Sequence, residues 1–174
     1  MGVRPQGGHT GFSLLEMLFA VTILLVALVA VAQLIPASIM LNYRNRMDSS
    51  ALVFAQRELN QFLDQPLNVN AFTDADGNFC ILGDPAQPNV LLPNADTVIT
   101  FAGQPAIDFS QSPTIGYNFT SLPDASNNSY ELRWAVVPIG KGSTAYSKRF
   151  IIGARHLGGN GYLPPVTLDT LVSK

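Results

Sequence analysis

Charge is scarce in this sequence. Asp, Glu, Lys and Arg together make up 13% of its 174 residues, against about a quarter in an ordinary globular chain. Ten basic and 12 acidic residues leave a net charge of −2, and no cluster of Lys and Arg interleaves with aromatics. Nucleic-acid binding by phosphate neutralisation therefore has no footing. Cysteine is nearly missing: Cys80 is the one thiol, so an intrachain disulfide is excluded and the residue reads as a small buried hydrophobe. The histidines are His9 and His156. A zinc site would have to assemble four ligands from these and from acids with no recognisable spacing. A Ser–His–Asp set, a Walker loop and a dinucleotide glycine pattern are all lacking. His156 lies in "GARHLGGNG", where no strand–glycine–helix context follows, and reads as a surface loop residue. The expectation is a protein that is not an enzyme and carries no cofactor.

What the sequence does have is a long apolar run. "GFSLLEMLFAVTILLVALVAVAQLIP" spans Gly11 to Pro36, and from Phe12 to Ile35 the strongly polar residues are Ser13, Glu16, Thr22 and Gln33. As a helix this stretch would extend ~36 Å, enough for a hydrocarbon core of ~30 Å. It is apolar all round, so no face is suited to water. A carboxylate at membrane depth costs ~2.5–3.5 kcal/mol on insertion scales, so Glu16 needs a reason. A secretory signal would use Arg4 as its basic flank and "AVA" (Ala30 to Ala32) as its cleavage site, but such cores are usually ~7–15 residues long and free of acids. A plain membrane anchor accounts for the length and leaves Glu16 unexplained; Arg44 and Arg46 follow the run while Arg4 alone precedes it.

Gly11, Phe12, Ser13, Leu14, Leu15 and Glu16, with Met17 after them, resemble the processing site and first helix of prepilins, the precursors of type IV pilins and type II secretion pseudopilins. That family joins a short polar leader ending in glycine to an aromatic, a small polar residue, two aliphatics and a glutamate. The resemblance implies cleavage between Gly11 and Phe12 by a membrane-embedded prepilin peptidase, with N-methylation of the new Phe12 amine. Glu16 becomes the fifth residue of the mature chain, where it would neutralise the amine of a neighbouring subunit during filament assembly. The leader departs from the family pattern in placing His9 and Thr10 where many members carry Lys or Arg. The implied partners are the prepilin peptidase and methylase, other pilins or pseudopilins, the lipid bilayer, and an inner-membrane assembly platform with its ATPase. The implied location is the bacterial inner membrane, N-terminus cytoplasmic and head periplasmic, before entry into a pilus or pseudopilus. Two other classes remain: a secreted soluble binding protein cleaved after Ala32, and an anchored periplasmic enzyme.

Beyond Pro36, which removes an amide donor and loosens the helix, Met40, Tyr43, Met47, Ala51, Phe54, Leu59 and Phe62 recur at spacings of three to five. They form an apolar stripe opposite Asn42, Arg46, Gln56, Asn60 and Gln61. Asp64-Gln65-Pro66 should end the helix. Four strands are predicted after that: "TVITF" (Thr97 to Phe101), "IGYNF" (Ile115 to Phe119), "YELRWAVV" (Tyr130 to Val137) and "KRFIIGAR" (Lys148 to Arg155). In the third, Tyr130, Leu132, Trp134 and Val136 share one face, with Glu131 and Arg133 on the other. The fourth is its antiparallel partner across the loop "PIGKGSTAYS". "GGNGYLPP" and the tail to Lys174 read as loop. The fold class is α+β, with a long N-terminal helix packed on a small antiparallel β-sheet head. The expected divisions are a leader (1–11), a membrane or filament-core helix (12–35), its amphipathic continuation (36–65) and a β-rich head (66–174). This is the lollipop plan of the pilin family. The missing disulfide points to a minor pilin or pseudopilin.

"DADGN" invites a calcium reading through Asp74, Asp76, Asn78 and Asp84. An EF-hand needs glycine sixth and glutamate twelfth; here glycine is fourth and Pro85 is twelfth, so a turn in which Asp-Gly supplies the positive backbone angle is the favoured reading.

Overall fold

The structure, a computed structural model, describes residues 11–123, 127–158 and 165–173. The leader up to residue 10 and most of "GGNGYLPP" lie outside them. The chain divides into two compact units, Met1–Tyr43 and Arg44–Lys174, and helix α1 (Leu14–Asp64) contributes to both.

In the first unit α1 begins where the Ser13 carbonyl accepts the Met17 N–H at 3.1 Å. Glu16 lies in its first turn, where a carboxylate is favoured by the unpaired amides of the helix start. The Thr22 hydroxyl is 2.8 Å from the Leu18 carbonyl and 2.9 Å from that of Phe19, so its polarity is satisfied within the helix. Pro36 lies inside α1, which continues through it. This segment is long and apolar enough to cross a membrane.

The second unit is an α+β domain. From Arg44 onward α1 buries Met47, Ala51, Ala55, Glu58 and Phe62, spaced four, four, three and four apart as one helical face requires. The seam therefore starts later than the expected stripe: Met40 is 57% and Tyr43 45% exposed. Gln65, ahead of Pro66, leaves the helix at the expected place.

Among the described residues two short hairpins and one sheet follow. Strands β1 (Ala71–Thr73) and β2 (Phe79–Ile81) pair antiparallel, as do β3 (Val98–Phe101) and β4 (Gln104–Ile107), with a 3-10 turn at Ala95–Thr97 before β3. The main sheet is β5 (Asn118–Thr120), β6 (Ser129–Lys141), β7 (Thr144–Leu157) and β8 (Val166–Ser173), antiparallel in that order. Its membership corrects the expectation in two ways. "TVITF" pairs with β4 instead of joining the sheet, and the tail forms β8, held along eight residues of β7 from Ala154↔Val166 to Ser147↔Ser173. "PIGKGSTAYS" is mostly strand, since the β6–β7 ladder continues to Lys141↔Thr144 with a register shift at Ile139/Gly140.

The sheet has two buried faces. On one, Trp134 meets Phe62 at 5.1 Å between ring centroids and donates its indole N–H to the Ile81 carbonyl at 2.9 Å. Phe54 stacks on Tyr130 at 6.0 Å. Small Ala51 and Ala55 face the same apolar cluster, which also holds Leu132, Val136, Phe150 and Ile152. On the other face Ile107 and Phe109 pack on Ala135 and Ile151. Glu131 and Arg133, on the non-helix face as expected, are buried there, 6% exposed each.

Candidate functional site

Two places in the chain concentrate unusual side chains. The first is the start of α1. Every residue from Gly11 to Arg46 is exposed, including Phe12 at 78%, Leu14 at 84% and Ile23 at 69%. Between Gly11 and Tyr43, Glu16 is the only residue of type Asp, Glu, Lys or Arg. It follows Phe12 by four residues, about one helical turn. Gly11 has open space where a Cβ would project, so packing does not select glycine there. The expected site residues Gly11, Phe12 and Glu16 thus share one uncovered end of an apolar segment.

The second place is where the β1–β2 turn meets α1. Asp74 Oδ1 accepts the amides of Asp76 (2.9 Å) and Asn78 (2.7 Å), and its Oδ2 accepts the Asn78 side-chain amide at 2.8 Å. Gly77 takes the left-handed angle the turn needs, φ +89°. Asp76 pairs with Arg57, and the Ala75 amide donates to Gln61 Oε1 at 2.8 Å. Asp84 serves a different turn, accepting the Ala86 amide at 2.9 Å. The carboxylates named from sequence are therefore engaged in two separate turns.

The structure brings Asp74 instead to Glu58 and Cys80, with ligand atoms of the three within 4.8 Å of one another. All three are buried, Glu58 to 1% exposure. Glu58 Oε2 accepts from Gln61 Nε2 at 3.0 Å, and the Cys80 thiol donates to Oε1 at 3.8 Å. Burial, and then the Asp74 charge, push the Glu58 carboxyl up to about 7 against the smaller pull of Arg57. Burial likewise raises the Cys80 thiol, reinforced by both carboxylates. Carboxylates and a thiol are also metal-ligating types, but the Asp74 oxygens are committed to the turn, and the cluster as folded holds itself together by hydrogen bonds. Sequence reading missed Glu58. The signal was there: an acid three residues after Ala55 and four before Phe62, in the middle of the apolar seam.

His156 is corrected as well. It lies in β7 with Nε2 3.0 Å from Asn128 Oδ1, its ring edge-on to Tyr130 at 5.5 Å. On the non-helix face of the sheet an open cleft of about 670 Å³ is lined by Ile99, Phe101, Ala106 and Phe109 with Arg155 and Asp169. Its arginine is already paired with Glu131 and its aspartate with Arg149. No family model matches the chain, nor does any curated protein or solved structure.

Proposed function

We propose that the chain is a minor pilin or pseudopilin, a structural subunit cleaved between Gly11 and Phe12, methylated at the new amine, and assembled into a type IV pilus or a type II secretion pseudopilus. The observation that carries this reading is the uncovered apolar segment from Phe12 to Ile35, in which Glu16, four residues after Phe12, is the one residue of type Asp, Glu, Lys or Arg. Such a surface is compatible with lipid or with copies of similar helices, and the two environments would be occupied in succession. In the bilayer, Glu16 lies near the helix start and within reach of the headgroups. In the filament, the Phe12 amine of a neighbour supplies the opposite charge. Unit charges ~4 Å apart attract by ~4 kcal/mol at an effective dielectric of ~20.

Intact mass spectrometry of the membrane fraction tests the processing step. The expected species begins at methylated Phe12. A chain beginning at Gln33 would establish a secreted protein, and an unprocessed chain a simple anchor. Gly11→Ala is expected to leave uncleaved precursor. Glu16→Ala is expected to be cleaved normally and yet be recovered with partner pilins at least ~10-fold less, since ~1.4 kcal/mol corresponds to each tenfold. Normal recovery would remove the charge-matching role.

A further inference from the structure

The β1–β2 turn is fastened to α1 by contacts of unequal kind. The Arg57–Asp76 ion pair is nearly half exposed on both sides and so is screened and weak. The Ala75 amide to Gln61 is a single exposed hydrogen bond. The buried fastening is the carboxyl pair, Glu58 on the helix and Asp74 on the turn, roofed by the Cys80 thiol from β2. Two carboxylates facing each other out of water repel unless one holds a proton. The hydrogen bonds say which one holds it. Asp74 receives three donors from its own turn, whereas Glu58 receives one amide and a long thiol contact. The proton belongs on Glu58.

We propose that the Glu58–Asp74 pair is a proton-operated latch, holding the β1–β2 turn against helix α1 while Glu58 is protonated and releasing it when Glu58 ionises. The groups facing Glu58 are Asp74 from the turn, Cys80 from β2, and Arg57 and Gln61 from its own helix. The one cation among them, Arg57, is engaged with Asp76, and so the like-charge repulsion goes largely uncompensated. The sign follows from proton binding. The docked state keeps the Glu58 proton up to about pH 7, whereas the undocked state gives it up near the ordinary value of 4.5. Undocking is therefore favoured progressively as pH rises between these values and levels off above them. The device is independent of whether the chain enters a filament.

Hydrogen exchange of the full-length protein in lipid nanodiscs, corrected for the intrinsic pH dependence of exchange, tests the latch. The opening constant of amides in 73–79 is expected to rise roughly seventy-fold between pH 5 and pH 8, and at every pH to exceed that of β6 and β7, which open only with the whole head. Glu58→Gln, which keeps the shape and one acceptor oxygen without a titrating proton, is expected to flatten the profile to within about twofold. Asp74→Asn removes the opposing charge and is expected to leave a shallower rise, giving a second readout should the Gln variant fail to fold. A flat wild-type profile, an unchanged slope in Glu58→Gln, or amides of 73–79 that open no more readily than those of β6 and β7 would overturn the proposal. So would a slope that vanishes on adding EDTA, because a bound cation would then be the fastening.

Discussion

Glu131 binds two arginines at once. Its Oε1 accepts Arg133 Nε at 2.7 Å and its Oε2 accepts Arg155 Nε at 2.7 Å, while both guanidinium groups lie over the Phe109 ring at about 5 Å. One carboxylate thus neutralises a buried arginine, Arg133, and a partly exposed one, Arg155, and the Phe109 ring adds a cation–π attraction to each. Removing the acid leaves uncompensated buried charge, the costly way to break such a set. Glu131→Gln is expected to destabilise the head by about 3 kcal/mol, read from the urea midpoint at constant slope. Lys148 is the opposite case, a single buried cation. Its Nζ donates to the Val69 carbonyl at 2.6 Å, pinning the loop after α1 to β7, and burial pushes the amine down to about 8. Below that pH the folded state holds a desolvated charge. From about 8 to the ordinary 10.5 the folded lysine is neutral while the unfolded one is still protonated. The wild type should therefore gain stability relative to Lys148→Met across that window, seen as melting temperatures that move in its favour. A constant difference would mean that the amine is hydrated. Sequence did not show these long-range pairings, because Arg155, Val69 and Cys80, which Glu131, Lys148 and Glu58 meet, lie 24, 79 and 22 residues away.

Elements were legible where their own residues carry the pattern. The apolar run of α1, its stop before Pro66 and the alternation of Tyr130, Leu132, Trp134 and Val136 needed no partner to be read. The misreadings came where a neighbour decides. The segment Val166–Ser173 follows a glycine- and proline-rich stretch and was expected to be loop, yet it becomes a strand because β7 runs fourteen residues and offers a ladder for it, with Arg149 paired to Asp169 across the two. Likewise "TVITF" has the alternation of a sheet member but turns back at Ala102–Gly103, both at positive φ, and covers the sheet as a hairpin. The fit of that cover is set at Gly153. A Cβ there would lie 2.8 Å from the Ile107 Cβ and 2.8 Å from Phe109 Cε2, closer than side-chain carbons approach. Neither neighbour can yield easily, since both belong to the buried cluster on that face. Gly153→Ala is expected to cost about 1–3 kcal/mol by overpacking, and hydrogen exchange should show the loss first in β3 and β4. Unchanged protection in that hairpin would mean the sheet, and not the cover, had adjusted.

At the scale of the whole molecule, the two units differ in what holds them folded. Among the described residues the buried side chains begin at Met47, and every residue from Gly11 to Arg46 is exposed. The core around Trp134, the two hairpins and the main sheet all lie from Arg44 onward. A fragment beginning at Arg44 therefore keeps the whole second unit and, of the described residues, loses only exposed ones. It is expected to unfold in urea as a single cooperative step, within about 0.5 kcal/mol of the same transition in the full chain in detergent. It should also remain in the aqueous phase, whereas the full chain is expected to partition with membranes. The start of the fragment matters, because α1 supplies Met47, Ala51, Ala55 and Phe62 to the apolar core. A fragment beginning at Pro66, where sequence alone set the head boundary, removes the entire helical face that covers one side of the sheet. That shorter fragment should aggregate or bind hydrophobic dye, as exposed sheet faces do. If instead it folded as stably as the longer one, the helix would be an attachment to the head and not one of its walls.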